Sequence, residues 1–326
     1  MNIEPNRLLR KAEDNIVRLR AAYPEGLHFV VGDTHGETAA LRTLIEQITF
    51  DPTKDHVYFV GDYNAGGHAR ALLKYMEQYY EPDCRRPGFH MIRGNHEREM
   101  EPSYPLENLP DFLVLRGRQM NYYIVHAGML TAAFDAINAD MARHPGQTVF
   151  AYRLDDACAG EEGALRQLIW SRHGLYSQHT NGKLWPTEEN LHANRACILH
   201  GHTPYCFFCG RSDYGARNLF WPKAHIWFSE DLQAFDLDSN IKGRYKNGET
   251  YRGLTALCLE VCGEIAAACG GRLTAEGFRN AQNAVFSAPV LWTEAREESG
   301  EPERILRAAP DMKTIRHGQD GNIYID

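Results

Sequence analysis

Along this chain, short apolar runs break off at small or polar residues, and helical patterns follow them. Leu27 to Val31 leads into Gly32-Asp33, Val57 to Val60 into Gly61-Asp62, and Phe89 to Ile92 into Gly94-Asn95. Tyr122 to Val125 leads into His126-Ala127-Gly128, and Ala196 to Leu199 into His200-Gly201-His202. Apolar runs of this length bounded by turn residues fit buried strands. Helical patterns over about 37–48, 68–80 and 161–170 fill the gaps, so the reading is an α/β fold with no internal repeat. Open α/β sheets place their sites at such strand-end turns, so the recurrence predicts one composite site. Before these strands, Leu8, Leu9, Ala12, Ile16 and Leu19 form a helical stripe over about 6–21, read as an amphipathic helix docked on the core. After residue 204 the pattern loosens into an aromatic-rich stretch from Tyr205 to Phe235, expected as a lid or wall or as plain core. A strand-like run from Leu254 to Val261, a helix near Ala275 to Phe286 and a hairpin around Asp320-Gly321 complete the expectations.

Composition narrows the function classes. At 326 residues with 43% hydrophobic content, the chain can bury a large core. A net charge of -8 argues against sequence-independent binding to a nucleic-acid duplex, which rests on clustered Lys and Arg. No run reaches the roughly 18–20 apolar residues of a membrane span, and the charged N-terminus does not read as a signal peptide. A cytoplasmic location without membrane attachment is the expectation. The eight cysteines are scattered through apolar stretches and read as reduced, buried thiols. Cys206 and Cys209 have metal-pair spacing, but the aromatic residues between them and the lack of a matching second pair favour packing.

Candidate chemistry lies at the strand ends. In Asp33-Thr34-His35, a carboxylate and an imidazole two residues apart can point at one ion. Gly61-Asp62 offers a second carboxylate, which could instead cap a helix. Gly94-Asn95-His96-Glu97 is more specific, because a histidine beside such an asparagine is seldom needed for packing. His126-Ala127-Gly128 and Gly201-His202-Thr203 add two further imidazoles.

Taken in order, the segments GDTHG, GDYNAGG, RGNHE, HAG and HGHTP resemble the signature of the metallophosphoesterase superfamily, and more closely its phosphoprotein phosphatase branch. Leu168-Ile169-Trp170-Ser171-Arg172 and Gly253-Leu254-Thr255-Ala256-Leu257 resemble bacterial and phage members of that branch. The resemblance implies a calcineurin-like sandwich of two mixed β-sheets flanked by helices. It covers about 27–262 as a catalytic domain, which leaves the N-terminal amphipathic helix within 1–26 and a C-terminal extension over 263–326 expected to pack on the core. It implies that Asp33 and His35 hold one divalent metal, that Asp62 bridges two, and that Asn95, His126 and His202 hold the second. Mn is the first expectation, with Fe and Zn also suited to these donors. Two ions sharing Asp62 would activate a water and clamp phosphoryl oxygens. His96 would protonate the leaving oxygen, and Arg172 would neutralise phosphate. His200 reads as a hydrogen-bonded core residue.

The second motif departs from the branch. Phosphoprotein phosphatases usually carry GDxVDRG, whereas Ala65 replaces the Asp that would orient His96 and Gly66 replaces an arginine that would contact phosphate. Bacterial diadenosine tetraphosphate hydrolases share the alanine but keep the arginine. Without the orienting carboxylate, a poor leaving group should suffer most. His68 and Arg70 stand near enough in sequence to compensate, or form an ordinary first helical turn. The leading reading is a phosphatase of phosphate monoesters acting on a phosphorylated protein or small phosphate ester. Alternatives are a phosphoanhydride or diester hydrolase acting on dinucleoside polyphosphates, and a metal-binding pseudophosphatase.

Overall fold

Val, Phe and Tyr dominate the apolar runs, and their side chains suit a pleated surface better than a helix. The computed structural model describes residues 15–63, 69–98, 105–155, 167–170, 185–203, 218–221, 226–239, 253–281, 284–289, 308–320 and 322–326. β1 (His28–Val31), β2 (His56–Phe59) and β3 (Gly88–Met91) run parallel, with His28 opposite His56 and His56 opposite Gly88. β11 (Gly253–Cys258) lies antiparallel on β1, and β12 (Val285–Pro289) antiparallel on β11. Because β1, β2 and β3 are parallel and nearly in register, the turns that follow them open at one end of the sheet.

The second sheet contains β4 (Phe112–Arg116), β5 (Asn121–Ile124), β6 (Val149–Leu154), β7 (Ala196–His200), β8 (Asn218–Trp221), β9 (Ile226–Ser229), β10 (Ala234–Asp236), β13 (Lys313–His317) and β14 (Ile323–Ile325). Their order is β14-β13-β6-β4-β5-β7-β10-β9-β8. β5, β7 and β10 are parallel, so the turns after β5 and β7 also open together. Alternation along the strands sets the layers. Leu113, Leu115, Ile124 and Leu199 join the core shared with Val30 and Tyr58 of the first sheet. Val114, Tyr123 and Ile198 turn the other way, onto Phe134, Ile137 and Met141 of the helix Thr131–Arg143. The architecture is α/β, with two mixed sheets flanked by helices, as the sequence implies.

The N-terminal stripe is helical over 15–22, with Ile16 and Leu19 buried. Helices Thr38–Gln47 and Ala69–Glu77 occupy the expected gaps, and Gln167–Trp170 is the described part of the third. The run from Leu254 ends as a strand at Cys258, and a helix, Leu259–Ala268, begins there. Helix Ala275–Asn280 is shorter than its pattern because Val285 to Ala288 alternate in burial and the strand Val285–Pro289 pairs with β11. β13 and β14 form the expected hairpin. Of the aromatic stretch, Trp227 and Phe228 are core residues on β9.

At the amino ends of the parallel strands, three imidazoles lie side by side. His28 and His56 stack at 4.6 Å, and His56 and His90 at 5.2 Å. His90 Nδ1 donates to the Glu81 carbonyl at 3.0 Å, leaving Nε2 to accept from His56 Nδ1, also at 3.0 Å. Burial, reinforced by the neighbouring ring, lowers His90 from the ordinary 6.5 to about 3. Burial likewise lowers His56, to about 4, with His28 adding to the effect. Below pH 6.5 the unfolded rings take up protons that the folded rings refuse, so stability falls as the pH drops from 6.5 toward 3–4. In thermal unfolding, His90→Asn, which keeps a donor for the Glu81 carbonyl, should show a shallower loss of Tm than the wild type between pH 6.5 and about 4. An unchanged acid slope would exclude His90 as a source of it.

Candidate metal centre

The turns that follow β1, β2, β3, β5 and β7 converge. His35 N–H donates to the Asp62 carbonyl at 2.8 Å, His202 N–H to Asp33 Oδ2 at 3.0 Å, and Gly201 N–H to the His126 carbonyl at 2.9 Å. The His202–Asp33 bond joins the two sheets at one pole, and the other two tie neighbouring turns within each sheet. Close approach depends on missing side chains, since a Cβ on Gly94 would collide with Asp62 Oδ1 and one on Gly201 with Asp33 Oδ1.

Asp33, His35 and Asp62 form one set whose donor atoms lie within 4.8 Å of one another, and Asp62, His126 and His202 form another. Asp62 belongs to both. His35 Nε2 stands 3.7 Å from Asp33 Oδ2 and 3.9 Å from Asp62 Oδ2. His126 Nε2 is 3.0 Å from Asn95 Oδ1, 3.2 Å from His202 Nδ1 and 3.3 Å from Asp62 Oδ1. The tautomer of His126 follows from its other nitrogen. Nδ1 donates to the Val60 carbonyl at 2.8 Å, so Nε2 presents a lone pair to the cluster.

The residues fit divalent cations. Asp33 Oδ1 is buried with no hydrogen-bond partner among the described residues. Burial first, then the charges of Asp238 and Asp62, hold the Asp33 carboxyl well above the ordinary carboxylate range. A cation between these groups would relieve both effects. The mixed oxygen and imidazole donors suit Mn, Fe or Zn. His35, Asp62 and His202 adopt left-handed backbone at φ 46°, 56° and 65°. Each such residue costs about 1–3 kcal/mol, and strain of this kind clusters at ligand-holding turns.

Glu97 supplies the restraint. Its Oε2 accepts from the N–H groups of Asp62 and Gly94 at 2.8 Å, and its Oε1 from Tyr63 N–H at 2.8 Å. The Gly94 bond is half of a capping box at the start of the short helix Asn95–Arg98. The Tyr63 hydroxyl donates to the Ile92 carbonyl and accepts from Ile92 N–H, pegging the same loops together. Burial and then the Asp62 charge raise Glu97 to about 7, against the pull of the Gly94 and Asp62 N–H groups.

All six candidate ligands are therefore brought together, and His96 stands beside them. Its N–H donates to Asp62 Oδ1 at 3.2 Å, and its Nε2 lies 3.8 Å from Asp62 Oδ2. His200 is buried, with Nδ1 donating to the Gly201 carbonyl, as a core residue would be. Arg70 is exposed on the first turn of its helix. Arg172, Ala65, Gly66, His68, Cys206 and Cys209 lie outside the described residues. Sequence reasoning assigned nothing to Glu97, Tyr63, Asp236 or Asp238. The glutamate three residues after Gly94 was a readable capping signal. Asp236 and Asp238 follow an irregular stretch that offers none.

A family model described as calcineurin-like phosphoesterase matches residues 29–236. The chain belongs to this family, whose members are phosphoesterases that use divalent metal ions. It is 25% identical over 284 residues to a symmetrical bis(5'-nucleosyl)-tetraphosphatase of Cellvibrio japonicus, covering 74% of this chain and 98% of that one. It is 24% identical to the protein of the same name from Nitrosospira multiformis, over 54% of this chain and 69% of the other. Among solved structures, a protein serine/threonine phosphatase of Saccharomyces cerevisiae is similar, with a TM-score of 0.46 and 15% identity over 89% of this chain and 90% of that one. A putative diadenosine tetraphosphatase is similar with a TM-score of 0.37 and 15% identity, over 82% of this chain and 96% of that one.

Replacing Glu97 by Gln sets an amide N–H₂ against a backbone donor. We expect a loss of about 1–3 kcal/mol in stability, with weaker Mn binding, measured by denaturant unfolding and metal titration. Wild-type values for both would show that the tie is dispensable.

Proposed function

We propose that this phosphoesterase holds two divalent cations, first Mn, and hydrolyses phosphoanhydrides of the dinucleoside polyphosphate class. The observation that supports it most is the sharing of Asp62 by two three-residue donor sets. Asp33 and His35 would hold one cation and Asn95, His126 and His202 the other, with Asp62 between them. Bound cations of this kind supply Lewis acidity toward phosphoryl oxygens and acidify a water.

The remaining work falls to the chain. The left-handed turns at His35, Asp62 and His202 aim their donors inward and fix them before substrate arrives. Glu97 and Tyr63 hold the Asp62 turn against the Asn95 turn. His96, held by its own N–H on Asp62, would give a proton to the departing oxygen. Arg172 is proposed to steady phosphate charge.

Two considerations favour anhydrides over phosphoserine. The relative from Cellvibrio japonicus, named as a symmetrical tetraphosphatase, aligns over nearly its whole length. The substitution of Ala65 for the acid-orienting carboxylate handicaps poor leaving groups most, and a nucleotide phosphate leaves more easily than a serine alkoxide. A second reading, a monoester phosphatase acting on phosphoproteins, keeps support from the RGNHE and IWSR segments, which resemble that branch.

The test is hydrolysis by the full chain, stripped and reloaded with Mn, of diadenosine tetraphosphate, a phosphotyrosine peptide and a phosphoserine peptide. We expect kcat/KM at least about tenfold higher on the dinucleotide, a difference of about 1.4 kcal/mol in barrier. Phosphopeptide turnover exceeding it would favour the second reading, and no metal-dependent turnover of any substrate would overturn both. Asp62→Asn should lower the rate by about 10³-fold, the scale of several kcal/mol of lost charge stabilisation. His96→Ala should cost about 10²-fold on a phosphoserine peptide and under about tenfold on para-nitrophenyl phosphate, whose leaving group needs little protonation.

A further inference from the structure

Two arginines bracket the turn that carries Asn95 and His96, and both end on one carboxylate. Arg93 Nε donates to Asp111 Oδ1 at 3.0 Å and its Nη2 to Oδ2 at 2.9 Å. Arg98 repeats the fork, with Nε to Oδ1 at 3.1 Å and Nη2 to Oδ2 at 2.8 Å. Leu154 N–H, at the end of β6, also donates to Oδ2, at 2.6 Å. Two-pronged pairing of guanidinium and carboxylate fixes direction as well as distance. None of the three side chains is more than 10% exposed. Burial alone would raise the Asp111 carboxyl, but the Arg93 and Arg98 guanidiniums outweigh it and hold the group below the ordinary carboxylate range.

The anchor belongs to the second sheet. Asp111 stands directly before β4, its N–H donates to the Tyr152 carbonyl at 2.8 Å, and Phe112 pairs with Tyr152 in the β4–β6 ladder. Arg93 N–H donates to the Pro110 carbonyl at 2.8 Å, which brings the exit of β3 against the entry of β4. Helix Asn95–Arg98 is a single turn, and one turn forms too few hydrogen bonds to hold a direction of its own. Ties on either side supply it. Glu97 fastens the turn to Asp62 and Tyr63, after β2 of the first sheet, and Arg98 fastens it to Asp111. Asn95 and His96 lie between the two residues that Asp111 grips.

We propose that Asp111, acting through Arg93 and Arg98, is a positioning residue for the turn Asn95–Arg98 and sets the placement of His96 within it. A carboxylate at position 65 would have steadied the His96 ring directly, and Ala65 cannot. Asp111 works from behind, on the main chain that carries the ring. A tilt of the turn would stretch charged hydrogen bonds on both sides of it, and these are the strong ones. The role of His96 as proton donor rests on the function proposed above, whereas the hold on the turn does not.

The test is Arg98→Met in the full chain, which leaves Asp111 paired with Arg93 and Leu154 N–H, so that no buried carboxylate is stranded. Amide exchange of the peptide covering 93–98, read by mass spectrometry, should quicken at least about tenfold while the β2 and β5 peptides keep wild-type protection, which also shows that the variant is folded. That measurement needs neither metal nor turnover. At saturating Mn, kcat should fall about tenfold on a phosphoserine peptide and less than about threefold on para-nitrophenyl phosphate, the pattern of a displaced acid. Added to His96→Ala, Arg98→Met should cost no further rate on the phosphoserine peptide than it costs on para-nitrophenyl phosphate, because the two changes remove one function. Wild-type exchange at 93–98, equal losses on the two substrates, or additive losses in the double variant would each overturn the proposal. A wild-type chain without metal-dependent turnover would sink the proposed function alone, and the exchange result would then decide the hold of Asp111 on the turn.

Discussion

The carboxylate of Glu97 fixes the geometry on which the candidate centre depends. Three backbone N–H groups from two different loops end on its two oxygens. Without that tie, the turn after β2 would be joined to the turn after β3 chiefly by the Tyr63 peg and by the His96 N–H bond to Asp62. With it, one carboxylate can face both His35 and His126, which belong to different sheets. The cost is a buried acid beside another acid, which is why Glu97 sits near neutrality. Cationic charge around Asp62 would draw it back toward ionisation.

The arrangement also bears on the unusual second motif. Asp62 and Tyr63 are secured, and the departures at Ala65 and Gly66 come just after the secured part. The bonds that secure Asp62 and Tyr63 come from Glu97, on the turn after β3.

Much of this was legible in the sequence because the site breaks the grammar of the strands. Asp33, Asp62, Asn95, His126 and His202 each interrupt an apolar run where nothing about packing calls for a polar residue. The parallel strands that carry them could be read from the same rhythm. Other features were hidden for physical reasons. The helix Leu259–Ala268 continues the apolar character of β11 without a break, so hydrophobicity alone does not mark the change of period at Cys258. β4 and β6 end without chemistry and so drew no notice, although they carry the antiparallel part of the larger sheet. The imidazole ladder escaped because its members come from three strands, and register, not spacing, brings them together. Glu97 and Tyr63 act through backbone bonds, which leave little trace in residue type.

The strands β12, β13 and β14 show how the sandwich deals with its borders. β12 covers β11 in one sheet, and the β13–β14 pair covers β6 in the other, so these three strands close one border of each. A chain emerging from a ribosome would build the entire candidate centre before these borders were sealed. During that interval β11 and β6 would offer bare backbone to any neighbouring strand. The vulnerable period in the life of this protein is therefore set by the translation time of a segment that contributes none of the candidate ligands.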